Sequence, residues 1–111
     1  MLTNTAPTSS NTVKANISEI SAGNGYTAGG TAATQSSSAQ SSGTYKLVLN
    51  DVVFTATGGS IGPFRYVVLY NDTASNDELI GFWDYGSSIT LSDTETFTTD
   101  FDSTAGVLQL A

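Results

Sequence analysis

The groups able to do chemistry in this 111-residue chain are mostly carboxylates, gathered at Asp72, Asp77 and Glu78, at Asp93 and Glu95, and at Asp100 and Asp102. Oxygen-rich loops can hold calcium, but none of these has the ligand spacing of a known calcium loop. Solvated turn carboxylates are the plainer reading, and no metal is expected. Two carboxylates flanking a sugar could hydrolyse a glycoside, a condition that almost any pair of acids meets on paper. Asp84 stands apart, inside an apolar run between Trp83 and Tyr85. A structural pair between Arg65 and Asp84 across a hairpin is favoured there over a catalytic acid.

Serine is abundant, but a serine nucleophile needs an activating base. The chain has no histidine and no cysteine. That removes the commonest general base, thiolate chemistry, disulfides and cysteine-based zinc sites. A lysine-assisted serine is also missing, because no Ser-x-x-Lys occurs. Gly58-Gly59-Ser60-Ile61-Gly62 has the look of a phosphate loop but lacks the following lysine and helix, so it reads as a turn. Trp83 with Tyr85 could stack on a sugar, although aromatics at strand alternation more often belong to a core. The chain is therefore expected to be no enzyme, with no catalytic residue and no cofactor.

Charge narrows the partners. The formal net charge is −7, only 12% of residues are charged, and the bases Lys14, Lys46 and Arg65 are scattered. A phosphate backbone or an anionic membrane needs clustered cations, so neither nucleic acid nor membrane is expected as a partner. No apolar run approaches a membrane span. The N-terminus lacks the basic and apolar regions of a signal peptide, so export by that route is not expected.

The elements that must position these groups centre on residues 62–86. Gly62 to Tyr70 and Leu79 to Gly86 are rich in β-branched and aromatic residues and flank a polar stretch, the signature of a hairpin with a longer loop. In the first run Phe64, Tyr66, Val68 and Tyr70 share one side and Val67 and Leu69 the other. A strand apolar on both faces is usually buried on both, which makes it the central strand. Phe54, Phe64, Tyr66, Val68, Tyr70, Ile80, Phe82, Trp83, Phe97 and Phe101 are the expected core.

Around that hairpin, residues 1–12 read as a polar arm, the remnant of a first strand, and residues 13–111 as one β-sandwich domain. Val13 to Ile20 fits strand alternation and also one helical turn. Residues 21–30 form a glycine-rich loop pinned by Tyr26. Thr31 to Ser42 suits a polar edge strand. Thr44 to Leu49 presents Tyr45, Leu47 and Leu49 to one side, and Val52 to Thr57 turns Val52, Phe54 and Ala56 inward. After Gly86 a separate short strand carries Ile89 and Leu91, followed by a turn at Asp93-Thr94. A half-buried strand with Phe97, Thr99 and Phe101 comes next, and a last strand runs from Val107 to Leu110. Short strands with frequent turn signals and no long helical period argue for an all-β fold of mostly antiparallel strands, a jelly-roll-like or Ig-like sandwich.

Several of these segments carry a resemblance. Gly23-Asn24-Gly25-Tyr26-Thr27-Ala28-Gly29-Gly30, Gly58-Gly59-Ser60-Ile61-Gly62-Pro63-Phe64-Arg65-Tyr66, Val68-Leu69-Tyr70-Asn71-Asp72, Leu79-Ile80-Gly81 and Trp83-Asp84-Tyr85-Gly86 resemble a family of small virion structural proteins of tailed bacteriophages and prophages. The closing Glu95-Thr96-Phe97, Asp100-Phe101-Asp102 and Gly106-Val107-Leu108 are similar to it too, so the likeness spans essentially the whole chain. Members of that family usually begin with a helix and a first strand running into Leu-Thr-Asn-Thr-Ala-Pro, whereas here Met1 sits inside that strand. Either Met1 is an internal methionine of a longer chain, or the first part is absent and leaves a sheet edge for a neighbouring subunit to fill.

The resemblance implies a non-enzymatic virion protein assembled in the cytoplasm of the bacterial host, with capsid decoration or cement as the sharper expectation. The partners expected are the major capsid protein and further copies of the chain, a trimer suiting capsid threefold positions. Leu2, Asn4, Pro7 and Asn11 of the arm are the candidate contact residues. A tail- or fibre-associated protein and a glycan-binding module on the virion are the alternatives.

Overall fold

The structure, a computed structural model, describes residues 1–110. Eight strands occur among them: β1 (Leu2–Thr3), β2 (Gln35–Ser41), β3 (Thr44–Leu49), β4 (Val52–Thr55), β5 (Ile61–Tyr70), β6 (Leu79–Leu91), β7 (Thr96–Thr99) and β8 (Leu108–Leu110). They form three antiparallel sheets, ordered β1-β5-β6, β2-β3-β8 and β4-β7. The fold is all-β. The described residues group into two compact units, 1–30 with 55–96, and 31–54 with 97–110.

In the first unit β5 is the central strand, as its two apolar faces require. Phe64 and Leu2 are fully buried and Ile61 is 2% exposed, while Tyr66 and Tyr70 are half-buried. The β5–β6 hairpin closes where the Asn71 N–H donates to the Glu78 carbonyl at 2.8 Å. Inside the loop the Asn71 side-chain oxygen accepts from the Thr73 N–H and hydroxyl, an Asx turn that starts the reversal. The second hairpin strand does not stop at Gly86, as the sequence suggests. It continues to Leu91, because the register jumps from Tyr66↔Asp84 to Phe64↔Ile89. Residues 85–88 bulge out opposite Arg65, Gly86 takes the turn at φ 100°, and the ladder then resumes.

The first residues are not a free arm. Leu2 pairs with Val67 and Thr3 with Tyr66, and Met1, Leu2 and Thr3 are all buried. The far side of β1 is met in turn, by a bridge from Thr3 to Glu19 and by the Ile20 N–H donating to the Leu2 carbonyl. Val13 to Ile20 forms no strand. Lys14–Asn16 is a 3₁₀ turn, held by the Asn16 side-chain oxygen accepting from the Thr12 and Val13 N–H groups at 3.0 and 3.2 Å. Such local bonds compete with a β-ladder for the same backbone donors.

The glycine-rich loop is pinned by Tyr26, 3% exposed, whose hydroxyl accepts from the Leu2 N–H and donates to Glu19 Oε1. Gly25 is at φ 96° against the Thr55 carbonyl, where a Cβ would overlap that oxygen. Nearby, the Thr57 N–H donates to the Asn24 carbonyl and Asn24 Nδ2 donates to the Ser60 carbonyl. The two glycine-rich motifs of the sequence are thus two halves of one packed contact.

In the second unit β2 is the polar edge strand, exposed along its whole length. It pairs with β3 through a tight turn at Ser42-Gly43, where φ is positive at both residues (50° and 83°) as a type I′ hairpin demands. On β3, Val48 is buried as well as Leu49, and β8 pairs on its other side. Asp51 Oδ1 accepts from the Phe101 N–H at 2.9 Å and so ties the end of the chain to this unit.

Candidate interaction surface

Of the expected core, Phe54, Phe64, Val68 and Phe101 are buried, and Tyr66, Tyr70 and Phe97 are half-buried. Ile80, Phe82 and Trp83 are not core. They are 50%, 47% and 40% exposed, and Tyr85 beside them is 57% exposed. The reason is positional. β6 is the last strand of its sheet, so an apolar sequence like that of β5 meets a neighbour on one side only.

Two rows across the sheet make this concrete. Met1, whose backbone exchanges hydrogen bonds with Val68, leads through Val68 to Phe82, with exposures of 5%, 2% and 47%. Leu2, Val67 and Trp83 form the adjacent row, with 0%, 8% and 40%. Adjacent residues of a strand point to opposite faces. Both faces of the sheet are therefore covered over β1 and β5, and both open at β6.

One ion pair braces this edge. Arg65 Nε and Nη2 donate to Asp84 Oδ1 and Oδ2 at 2.7 and 2.9 Å, a two-pronged fork. Asp84 Oδ1 also accepts from the Gly86 N–H at 2.8 Å, which fixes the start of the bulge. The Arg65 bond first, then the Gly86 bond, holds the Asp84 carboxyl below its usual range. The guanidinium lies 5.4 Å from the centre of the Tyr66 ring, and that ring meets Phe82 edge-on with centroids 6.1 Å apart. The expected pair is structural in geometry, and it neutralises the one charged side chain of β6.

Three other acids hold turns. Asp93 Oδ1 accepts from the Gly58 N–H, Glu95 Oε1 from the Ser92 N–H, and Asp102 Oδ1 from the N–H groups of Thr104 and Ala105. Among the described residues no three metal-ligating side chains come together.

The candidate contact residues of the N-terminal stretch separate. Leu2 is fully buried in its own sheet, because its partner Val67 belongs to the central strand, and it cannot serve as a surface contact. Asn4 is exposed and accepts from the Ser88 hydroxyl at 2.9 Å, Asn11 accepts from Thr8, and Pro7 is half-buried.

A buried polar knot escaped notice in the sequence. The Met1 ammonium donates to the Val68 carbonyl at 2.9 Å, and burial pulls it down from 8.0 to about 6. Glu19 accepts from Tyr26 and from the Gly29 N–H, and burial pushes the Tyr26 phenol well above its ordinary value. The available signal was that Glu19 is the only carboxylate before Asp51.

No protein-family model, characterised protein or solved structure matches this chain.

Proposed function

We propose that this chain is a structural protein of a bacteriophage virion, a capsid decoration or cement protein that contacts the major capsid protein. The observation that carries this reading is the exposure of Ile80, Phe82, Trp83 and Tyr85 on the open edge strand β6. Soluble monomers rarely leave a contiguous apolar patch at a sheet edge, and such patches mark contact surfaces. Acids spent on backbone N–H groups at turns suit a part that must persist rather than react. The resemblance of the ordered motifs to small virion proteins supports the biological setting.

Quantitative mass spectrometry of purified virions tests the proposal. The expected result is a fixed ratio of this chain to the major capsid protein. A few copies per particle would move it to the tail or fibres, and absence from particles would overturn the virion reading.

Trp83 and Tyr85 favour a second reading, a glycan-binding module, because both are exposed and alternate onto one face of β6. Titrating host surface glycans against Trp83 fluorescence would reveal it.

A further inference from the structure

We infer that β6 is completed by β6 of a second copy of the chain, running antiparallel about a twofold axis beside Trp83. The exposed residues select this occupant. Phe82 and Trp83 are neighbours in a strand and point to opposite faces, yet they are 47% and 40% exposed. A flat ligand stacked on the sheet would cover only one of them. A strand added edge-on covers both, since its own side chains flank theirs above and below. The edge is closed only at its first residue, where the Leu79 N–H donates to the Thr12 carbonyl. Beyond that, among the described residues, no other strand lies outside β6.

The side chains make β6 complementary to itself. With Trp83 opposite Trp83 of the second copy, Phe82 falls opposite Asp84 and Gly81 opposite Tyr85, the last position before Gly86 turns out of the ladder at φ 100°. Large thus meets small at both ends, an aromatic covering an edge glycine. Gly81 has nothing within 4 Å of an added Cβ, so the space over it is open to such a ring. The register shifted by one, with Asp84 opposite Asp84, places like charges together and is disfavoured. In the Trp83 register each Asp84 faces Phe82 and keeps its own Arg65. β6 carries no other charge and no proline, two of the devices that keep an edge strand from pairing, and its bulge begins only after Asp84. This matters in a chain of net charge −7, whose copies would otherwise repel.

Area sets the strength. Four apolar side chains, each about half exposed, supply roughly 400 Å² per copy. That is about half of the ~800 Å² per partner in a standard interface, so the dimer is a weak, reversible one. The inference uses the same β6 side chains as the virion reading but is tested apart from it, on the free protein in solution.

Sedimentation from about 1 µM to about 200 µM brackets such an interface. The expected species moves from 11.5 kDa towards twice that mass. Phe82→Lys and Ile80→Lys, each at a position already half exposed, should raise the dissociation constant by about tenfold or more while the circular dichroism stays unchanged. The absence of native cysteine allows a second test of register. Trp83→Cys should form a disulfide-linked dimer under mild oxidation, whereas Val53→Cys, 51% exposed in the other unit, should not. A monomer at every concentration, association untouched by both lysine variants, or equal cross-linking at positions 53 and 83 would overturn the inference.

Discussion

Arg65 and Asp84 reach each other diagonally across the β5–β6 ladder, and the same Asp84 oxygen that accepts from Arg65 Nε also accepts from the Gly86 N–H. One carboxylate therefore joins two strands and fixes the start of the bulge that lets β6 run on to Leu91. Both side chains are nearly 40% exposed, so water screens the pair and its contribution to stability is small. A depressed carboxyl stabilises the fold above its ordinary value and loses that contribution as pH falls through the folded value. Arg65→Met should accordingly be slightly less stable than the parent near neutrality, with the gap closing below pH 3.8. Urea titrations at several pH values read this directly. A gap that widens in acid would contradict the assignment.

The Met1 ammonium gives a slope of the same sign, but near neutrality. Its value falls from 8.0 to about 6 on folding, so the unfolded chain binds more protons between those limits. Stability should then rise with pH from about 6 to 8, by on the order of 2–3 kcal/mol for a two-unit shift. Denaturation midpoints from pH 5 to 9 would show the rise, and a flat profile would mean that the amine is solvated.

Removal of a core ring and removal of a turn acid should separate cleanly. Phe64 is fully buried at the centre of β5, and Phe64→Ala should cost about 3–5 kcal/mol. Asp93→Ala loses one exposed bond to the Gly58 N–H and should cost about 1 kcal/mol or less. Similar losses in the two variants would place the core elsewhere.

Glycines test close approach. Gly25→Ala drives a methyl into the Thr55 carbonyl at a φ that L residues avoid, and should cost about 2 kcal/mol or more. Gly81→Ala meets open space at an ordinary φ, and should change the stability of the monomer by less than about 0.5 kcal/mol. Thermal melts of both variants at low concentration make the comparison.

Much of this was legible in the residues. Two β-rich runs around a polar loop specify the central hairpin, Val52, Phe54 and Ala56 alternate inward as expected, and Tyr26 is the anchor of its loop. Arg65 and Asp84 are close enough in the hairpin register to be paired on paper. These features are local, set by period-two alternation, turn chemistry and short separations along the chain.

What the tertiary structure alone decided is which strand stands at an edge. β5 and the first part of β6, Leu79 to Tyr85, are nearly alike in apolar content, but burial depends on how many neighbours a strand acquires, and no strand carries that number in its own sequence. So Ile80, Phe82 and Trp83, which look like core, lie open, while Leu2, in a polar stretch that looks like an arm, is sealed against Val67. The sequence by itself determined the all-β class, the hairpin and the inward faces. Pairing order, a long-range property, turned one apolar strand into the core and its neighbour into a surface.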